Sequence, residues 1–271
     1  MAGFKERVLS AVILVAVLGA ALLYGSWFLW ILMLFSSLAG FFEFTRAMRD
    51  VSERDSMKPD ILEIIGYAGI IALYIVILFS NSAIYMLYTL ILLVIAIMII
   101  YVLQYPRHST ADMMQIFFGV VYVGFMLLFV YMTRMSPNGI RTVWLIFISS
   151  WICDTAAYLS GMTLGKHKLV PRLSPKKSVE GAIGGVIGSA VVGFIYALII
   201  GMSDTALFVA LIAAVGAVIS QFGDLLASAI KRDHEIKDYG SIIPGHGGIL
   251  DRFDSVIITA PIVYILTQVL I

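Results

Sequence analysis

Residues 228 to 255 of this 271-residue chain read SAIKRDHEIKDYGSIIPGHGGILDRFDS and lie between two strongly apolar segments. Asp233, Glu235, Asp238, Asp251 and Asp254 alternate there with Lys231, Arg232, Lys237 and Arg252 around a Gly-His-Gly-Gly turn. Charge beside hydrocarbon is costly unless something binds to it. Carboxylates interleaved with cations suit a metal ion and phosphates. Asp251, Asp254 and Ser255 share one face of the first turn of the last apolar helix, where acids also complement the helix dipole. Asp224, on the preceding helix, adds a third carboxylate, and such an all-oxygen set suits Mg²⁺ or Mn²⁺. His246 sits among glycines that permit backbone dihedrals closed to other residues. It serves either as a structural hydrogen bonder or as a base.

Three further constellations carry polar chemistry. Asp154, Tyr158 and Gly161 recur at i, i+4 and i+7 within an apolar stretch, so they share a helix face. An acid inside a membrane span marks a functional site or a buried hydrogen-bond network. Residues 165 to 181, GKHKLVPRLSPKKSVEG, carry Lys166, His167, Lys168, Arg172, Lys176 and Lys177. A basic run of this kind anchors to anionic headgroups, but the pattern around Ser174, Ser178 and Glu180 is more ordered than an anchor requires. Either serine can cap the helix that follows, and its N-terminal amides then favour a phosphate. Gln221, Asp224, Ser228 and Lys231 form a polar stripe on an otherwise apolar helix. Zinc-type Cys and His pairs, a Walker A loop and a nucleophile elbow are all missing from the sequence.

These residues must be positioned by membrane helices. The chain is 61% hydrophobic and 13% charged, far from the balance of soluble proteins. Nine apolar segments, at 8–24, 27–46, 61–80, 83–104, 114–133, 143–163, 182–201, 205–230 and 253–271, approach the length a bilayer core needs. The expectation is one all-α, polytopic membrane domain over 1–271, with N-terminal helices over 1–140 and the chemistry-bearing helices and loops over 141–271. The first segment, which follows Lys5 and Arg7, reads as a retained helix rather than a cleaved leader. Glycines at 181, 184, 185 and 188 recur at four-residue spacing, which suits close helix packing. The single Cys153 excludes an internal disulfide and reads as a packing residue.

With the N-terminus inside, 16 of the 18 Lys and Arg residues fall on the cytoplasmic side, leaving only Arg134 and Arg141 outside. That bias follows the positive-inside rule and puts the C-terminus outside. Of the 17 acids, only Asp204 lies outside. The charged chemistry therefore faces the cytoplasm. A net charge of +1, with bases dispersed among acids, offers nothing to nucleic acid.

The ordered motif from Ser228 through Lys231, Arg232, Lys237, Asp238, Pro244, His246, Asp251, Arg252 and Asp254 resembles the signature of phosphatidate cytidylyltransferases, or CDP-diacylglycerol synthases. Asp154 and Tyr158, the Ser174 to Gly181 run, and Gly223-Asp224 extend the likeness over residues 150 to 255, while the first 140 residues match in hydropathy alone. Many relatives carry Thr where Ser178 stands, and the hydroxyl is kept. The resemblance implies a homodimeric enzyme of the inner membrane that makes CDP-diacylglycerol and pyrophosphate from CTP and phosphatidic acid. It also implies a paired-metal site at Asp224 and Asp251, with Mg²⁺ or Mn²⁺ as one cation and the second unidentified. Asp254 is then a further ligand or an orienting residue. Lys176, Lys177, Lys231, Arg232 and Arg252 become phosphate clamps, Ser174 and Ser178 hydroxyl donors, and Asp154, Tyr158, Lys237 and His246 substrate contacts.

Two alternatives stay open. Nothing in the sequence reads acyl chains, so the acceptor could be an isoprenoid or ether-linked phosphate. A cation-coupled transporter using Asp154 and Asp224 is the other, but its usual repeated halves are absent and the polar residues gather toward one side.

Overall fold

The computed structural model describes residues 4–49, 58–80, 82–243, 245 and 247–271, with side chains from Ser10 onward. Among these residues nine helices follow in order: α1 Phe4–Tyr24, α2 Ser26–Met48, α3 Ile61–Phe79, α4 Ala83–Leu103, α5 Thr110–Met135, α6 Gly139–Leu164, α7 Val179–Ile199, α8 Ala206–Asp233 and α9 Leu250–Leu270. Eight of the nine are long and apolar enough to cross a bilayer, and α1 contributes a shorter described apolar stretch, Ser10–Tyr24. The protein is an all-α, polytopic membrane protein. Helix α4 shows why no soluble reading works: Leu87, Ile91, Leu92, Ile95, Met98 and Ile99 stand uncovered, which lipid tolerates and water does not.

The chain divides into two compact units. The first comprises residues 1–18, 27–128 and 238–251. Its centre is aromatic: Phe41 meets Tyr67 edge-on at 5.0 Å, and Phe118 stacks on Tyr122 at 5.4 Å. The buried Tyr74 hydroxyl pairs with Ser37 Oγ at 2.8 Å, and Trp30 donates to the Tyr74 carbonyl at 2.8 Å. Helix α5 opens with a reciprocal cap, in which Ser109 Oγ accepts from the Asp112 amide and Asp112 accepts from the Ser109 amide at 2.7 Å. An ion pair not anticipated from the sequence joins Arg49 to Glu63 through contacts of 2.6, 2.7 and 3.0 Å. It borders a polar cavity of about 890 Å³ lined by Arg49, Asp60, Glu63, Arg107, His108 and Asp112, among others.

The second unit comprises residues 19–26, 129–237 and 252–271. Helix α7 lies against α6 with almost no side chain between them. A Cβ on Gly181 would stand 2.8 Å from the Ala157 carbonyl, one on Gly185 2.9 Å from Cys153 Sγ, and one on Gly188 2.5 Å from Ala156 Cβ. The expected glycine ridge is therefore a contact surface, and buried Cys153 packs within it. Helix α6 contains a π-helical turn at Ile148–Ile152, which ends two residues before Asp154; such turns are frequent at functional sites.

One element departs from an all-helical reading. Residues 168–170 (β1) and 174–178 (β2) form an antiparallel hairpin, pairing Lys168 with Ser178 and Val170 with Ser174. The two prolines and repeated lysines conceal strands this short. Pro171 turns the chain and Pro175 is tolerated because both strands are edges.

Candidate functional site

Along β2, Pro175 and Lys176 are exposed, whereas Lys177 is partly covered and Ser178 is buried. Lys177 Nζ forms an ion pair with Asp224 on α8. Asp154, in the first turn of the α-helical stretch Cys153–Leu164 of α6, lies within electrostatic reach of both. Asp254, in the second turn of α9, also faces Asp224 and Asp154, with Lys231 as a nearby cation. Three helices and a hairpin thus bring three aspartates and two lysines to one place in the second unit. Asp254 Oδ1 accepts the adjacent Ser255 amide at 2.7 Å.

The frame around this cluster is hydrogen-bonded throughout. Ser178 is the residue that caps α7, its Oγ accepting from the Gly181 amide at 3.1 Å. Glu180 holds the hairpin root: it accepts from the amides of Lys166 and His167 at 3.0 and 3.2 Å, and pairs with His167 Nδ1 at 2.6 Å. Gln221, one turn before Asp224, donates to the Ala182 carbonyl at 3.1 Å and points to Cys153 Sγ at 3.5 Å. The polar stripe on α8 is therefore divided: Gln221 ties helices together, and Asp224 carries the charge.

Asp251 belongs to the first unit with the loop that precedes it. The residue is 8% exposed, and its Oδ2 accepts from the amides of Tyr239 at 2.9 Å and Gly248 at 3.0 Å. Gly247 adopts φ +83°, a conformation open chiefly to glycine, and a Cβ there would meet Asp251 Oδ2 at 3.0 Å.

The remaining sequence-derived candidates scatter. Arg232, Lys237 and Arg252 are exposed, Ser174 is half-buried in the hairpin, and Tyr158 is 68% exposed. His246 lies outside the described residues. Glu43, which the motif reading missed, is 2% exposed on α2, and its two carboxylate oxygens accept the amides of Ile249 at 3.0 Å and Leu250 at 2.8 Å. The signal was present in the sequence: an acid within the apolar run FFEFT is as costly as Asp154 and equally a reason to look.

Among the described residues, no three Asp, Glu, His or Cys side chains stand close enough to hold an ion unaided. That does not count against magnesium, which binds through one or two carboxylates, several waters and substrate phosphates rather than a closed protein cage. The donors here are hard oxygens, and the cluster of three acids against two lysines has charge left to neutralise. The residues fit the ion.

A model of the cytidylyltransferase family matches residues 5–270. The chain belongs to that family. Across 97% of its length it is 34% identical to a protein of Staphylococcus saprophyticus named phosphatidate cytidylyltransferase, of which the match covers 98%. Proteins of the same name from Staphylococcus haemolyticus and Staphylococcus aureus are 33% and 32% identical over the same shares. The chain is accordingly a membrane-embedded nucleotidyltransferase, as the motif between 228 and 255 led one to expect. The similarity also extends through the first 140 residues, where the motif reading found hydropathy alone.

Proposed function

We propose that this cytidylyltransferase makes CDP-diacylglycerol and pyrophosphate from CTP and phosphatidic acid. The observation that carries the reading is the end-to-end match to relatives named for that activity. The charge cluster of Asp154, Asp224, Asp254, Lys177 and Lys231 supports it, because phosphate chemistry needs such a set.

A non-bridging oxygen of the lipid phosphate attacks the α-phosphorus of CTP. The new P–O bond forms as the bond from that phosphorus to the bridging oxygen breaks, and pyrophosphate leaves with the electron pair. A phosphate monoester has a second pKa of about 6, so the nucleophile is already dianionic near neutrality and needs little help from a base. The demand on the protein is to bring two anions together. Lys176, Lys177, Lys231, Arg232 and Arg252 clamp phosphates by charge, with Ser174 and Ser178 as hydroxyl groups beside them and Lys237 and His246 as further contacts. Asp154 and Tyr158 orient a lysine or a substrate headgroup.

Asp224 and Asp251 would hold Mg²⁺ or Mn²⁺, as one of a pair with a second cation, and Asp254 would ligate or orient. Such a cation, when bound, neutralises phosphate charge and aligns the reacting groups. The site opens to the cytoplasm of a cell whose inner membrane holds the protein, with the N-terminus inside, the C-terminus outside and two copies associated as a homodimer. Acyl chains remain in the bilayer.

The test is purified protein in detergent with radiolabelled CTP, Mg²⁺ and either phosphatidic acid or a polyprenyl phosphate. Lipid-extractable label with phosphatidic acid alone is expected. Label with polyprenyl phosphate alone moves the protein to a different acceptor, and no label with either refutes the transfer.

A further inference from the structure

We infer that Glu43, on the second helix, is a positioning residue that holds the Asp251 loop in register for the site. The inference rests on the proposed role of Asp251 at the metal. All of the groups involved lie in the first unit. Glu43 is separated from the loop by 206 and 207 residues in sequence, yet its carboxylate accepts both the Ile249 and the Leu250 amides. Those amides open α9 and have no partner within the helix, and a carboxylate suits the positive end of its dipole. The last helix is therefore capped from α2 by a distant side chain rather than by its own preceding residue.

The same carboxylate touches both strands of the loop. A Cβ on Gly240 would stand 2.7 Å from Glu43 Cδ, and one on Gly248 would stand 2.5 Å from it. These two glycines are placed tellingly: Gly240 follows Tyr239, and Gly248 is itself the second residue whose amide grips Asp251 Oδ2. Glu43 thus presses on the two backbone segments that orient Asp251. A buried acid at 2% exposure would be a poor choice for filling space. Its two oxygens, matched to two amides, account for its presence. Partners that orient a ligating side chain typically change metal affinity or activity by about 10- to 100-fold when removed.

The experiment compares wild type, Glu43→Gln and Glu43→Asp in two measurements. Hydrogen exchange of peptides covering 238–251, without metal or substrate, reads the loop directly; both variants should exchange faster there while α3 and α4 stay protected. The Mg²⁺ concentration giving half-maximal cytidylyl transfer should rise about 10- to 100-fold in Glu43→Gln and less in Glu43→Asp, which keeps the charge but cannot span both amides. A plain loss of folded protein lowers the maximal rate and leaves that concentration unmoved, so unchanged loop exchange or an unchanged Mg²⁺ midpoint overturns the inference. If Glu43→Gln cannot be purified folded, the Glu43→Asp arm decides by the same two readouts. Failure of the proposed function looks different: wild type itself would transfer no label, or would do so without divalent metal, whatever the exchange data show.

Discussion

Lys177→Ala separates a phosphate clamp from a membrane anchor. In the resting protein Lys177 pairs with Asp224, with side-chain exposures of 28% and 31%, so solvent screens the pair only in part. Two unit charges about 4 Å apart attract by about 4 kcal/mol at an effective dielectric of about 20. Exposed pairs retain about 0–1 kcal/mol of that after desolvation and entropy, whereas breaking a buried one costs about 3–5 kcal/mol. A pair one-third exposed falls between, at about 1–2 kcal/mol. Removing the ammonium leaves Asp224 beside Asp154 and Asp254 with less compensation. Divalent metal then no longer competes with Lys177 for Asp224, and its activating midpoint should fall by about 5- to 30-fold, the same energy expressed as a ratio. Catalysis should move the other way: losing one aimed cationic donor lowers kcat/KM for CTP by about 10²–10³-fold. Metal titrations of pyrophosphate release at several CTP concentrations measure both. Unchanged kinetics would make the basic hairpin a headgroup anchor, and a raised metal midpoint would refute the competition.

Two other expectations concern the charge and the frame. Asp251→Asn keeps the side chain's shape and one acceptor for the Tyr239 and Gly248 amides, so expression and monodispersity should survive while CTP-dependent pyrophosphate release falls to background; retained turnover removes Asp251 from the metal role. Gly185→Ala puts a methyl group 2.9 Å from buried Cys153 Sγ and 3.0 Å from its carbonyl, and overpacking of that kind costs about 1–3 kcal/mol, which differential scanning in detergent should report as a lower unfolding midpoint.

Most of the fold was legible because membrane helices announce themselves. An unbroken apolar run the thickness of a bilayer has few alternatives, and the nine expected segments correspond to α1 through α9 with ends displaced by a few residues. The close approach at the α7 glycines was equally readable, since it depends on local spacing alone, whereas spacing left the α7 cap open between Ser174 and Ser178 and the folded chain selects Ser178. The hairpin at 168–178 was not, because its strands are too short for a period-two pattern to emerge between prolines. Pairings across long separations were also hidden. The spacing on α8 picked out Asp224, but only the folded chain shows that its partner is Lys177 and that Asp154 and Asp254 converge on it. Glu43 shows the same limit, since its 206-residue reach to Ile249 leaves no trace in either segment. Lys176 and Lys177 are neighbours of one type, and only the folded hairpin shows that the first is exposed while the second reaches the acid.

The account turns on aspartates that hold a divalent cation for a nucleotide. Crystals grown with Mn²⁺ and a non-hydrolysable CTP analogue, measured at the manganese absorption edge, test this directly. The account predicts an anomalous peak in coordination distance of Asp224 and Asp251, with nucleotide phosphate completing the shell. Nucleotide bound with no peak at either aspartate would contradict it.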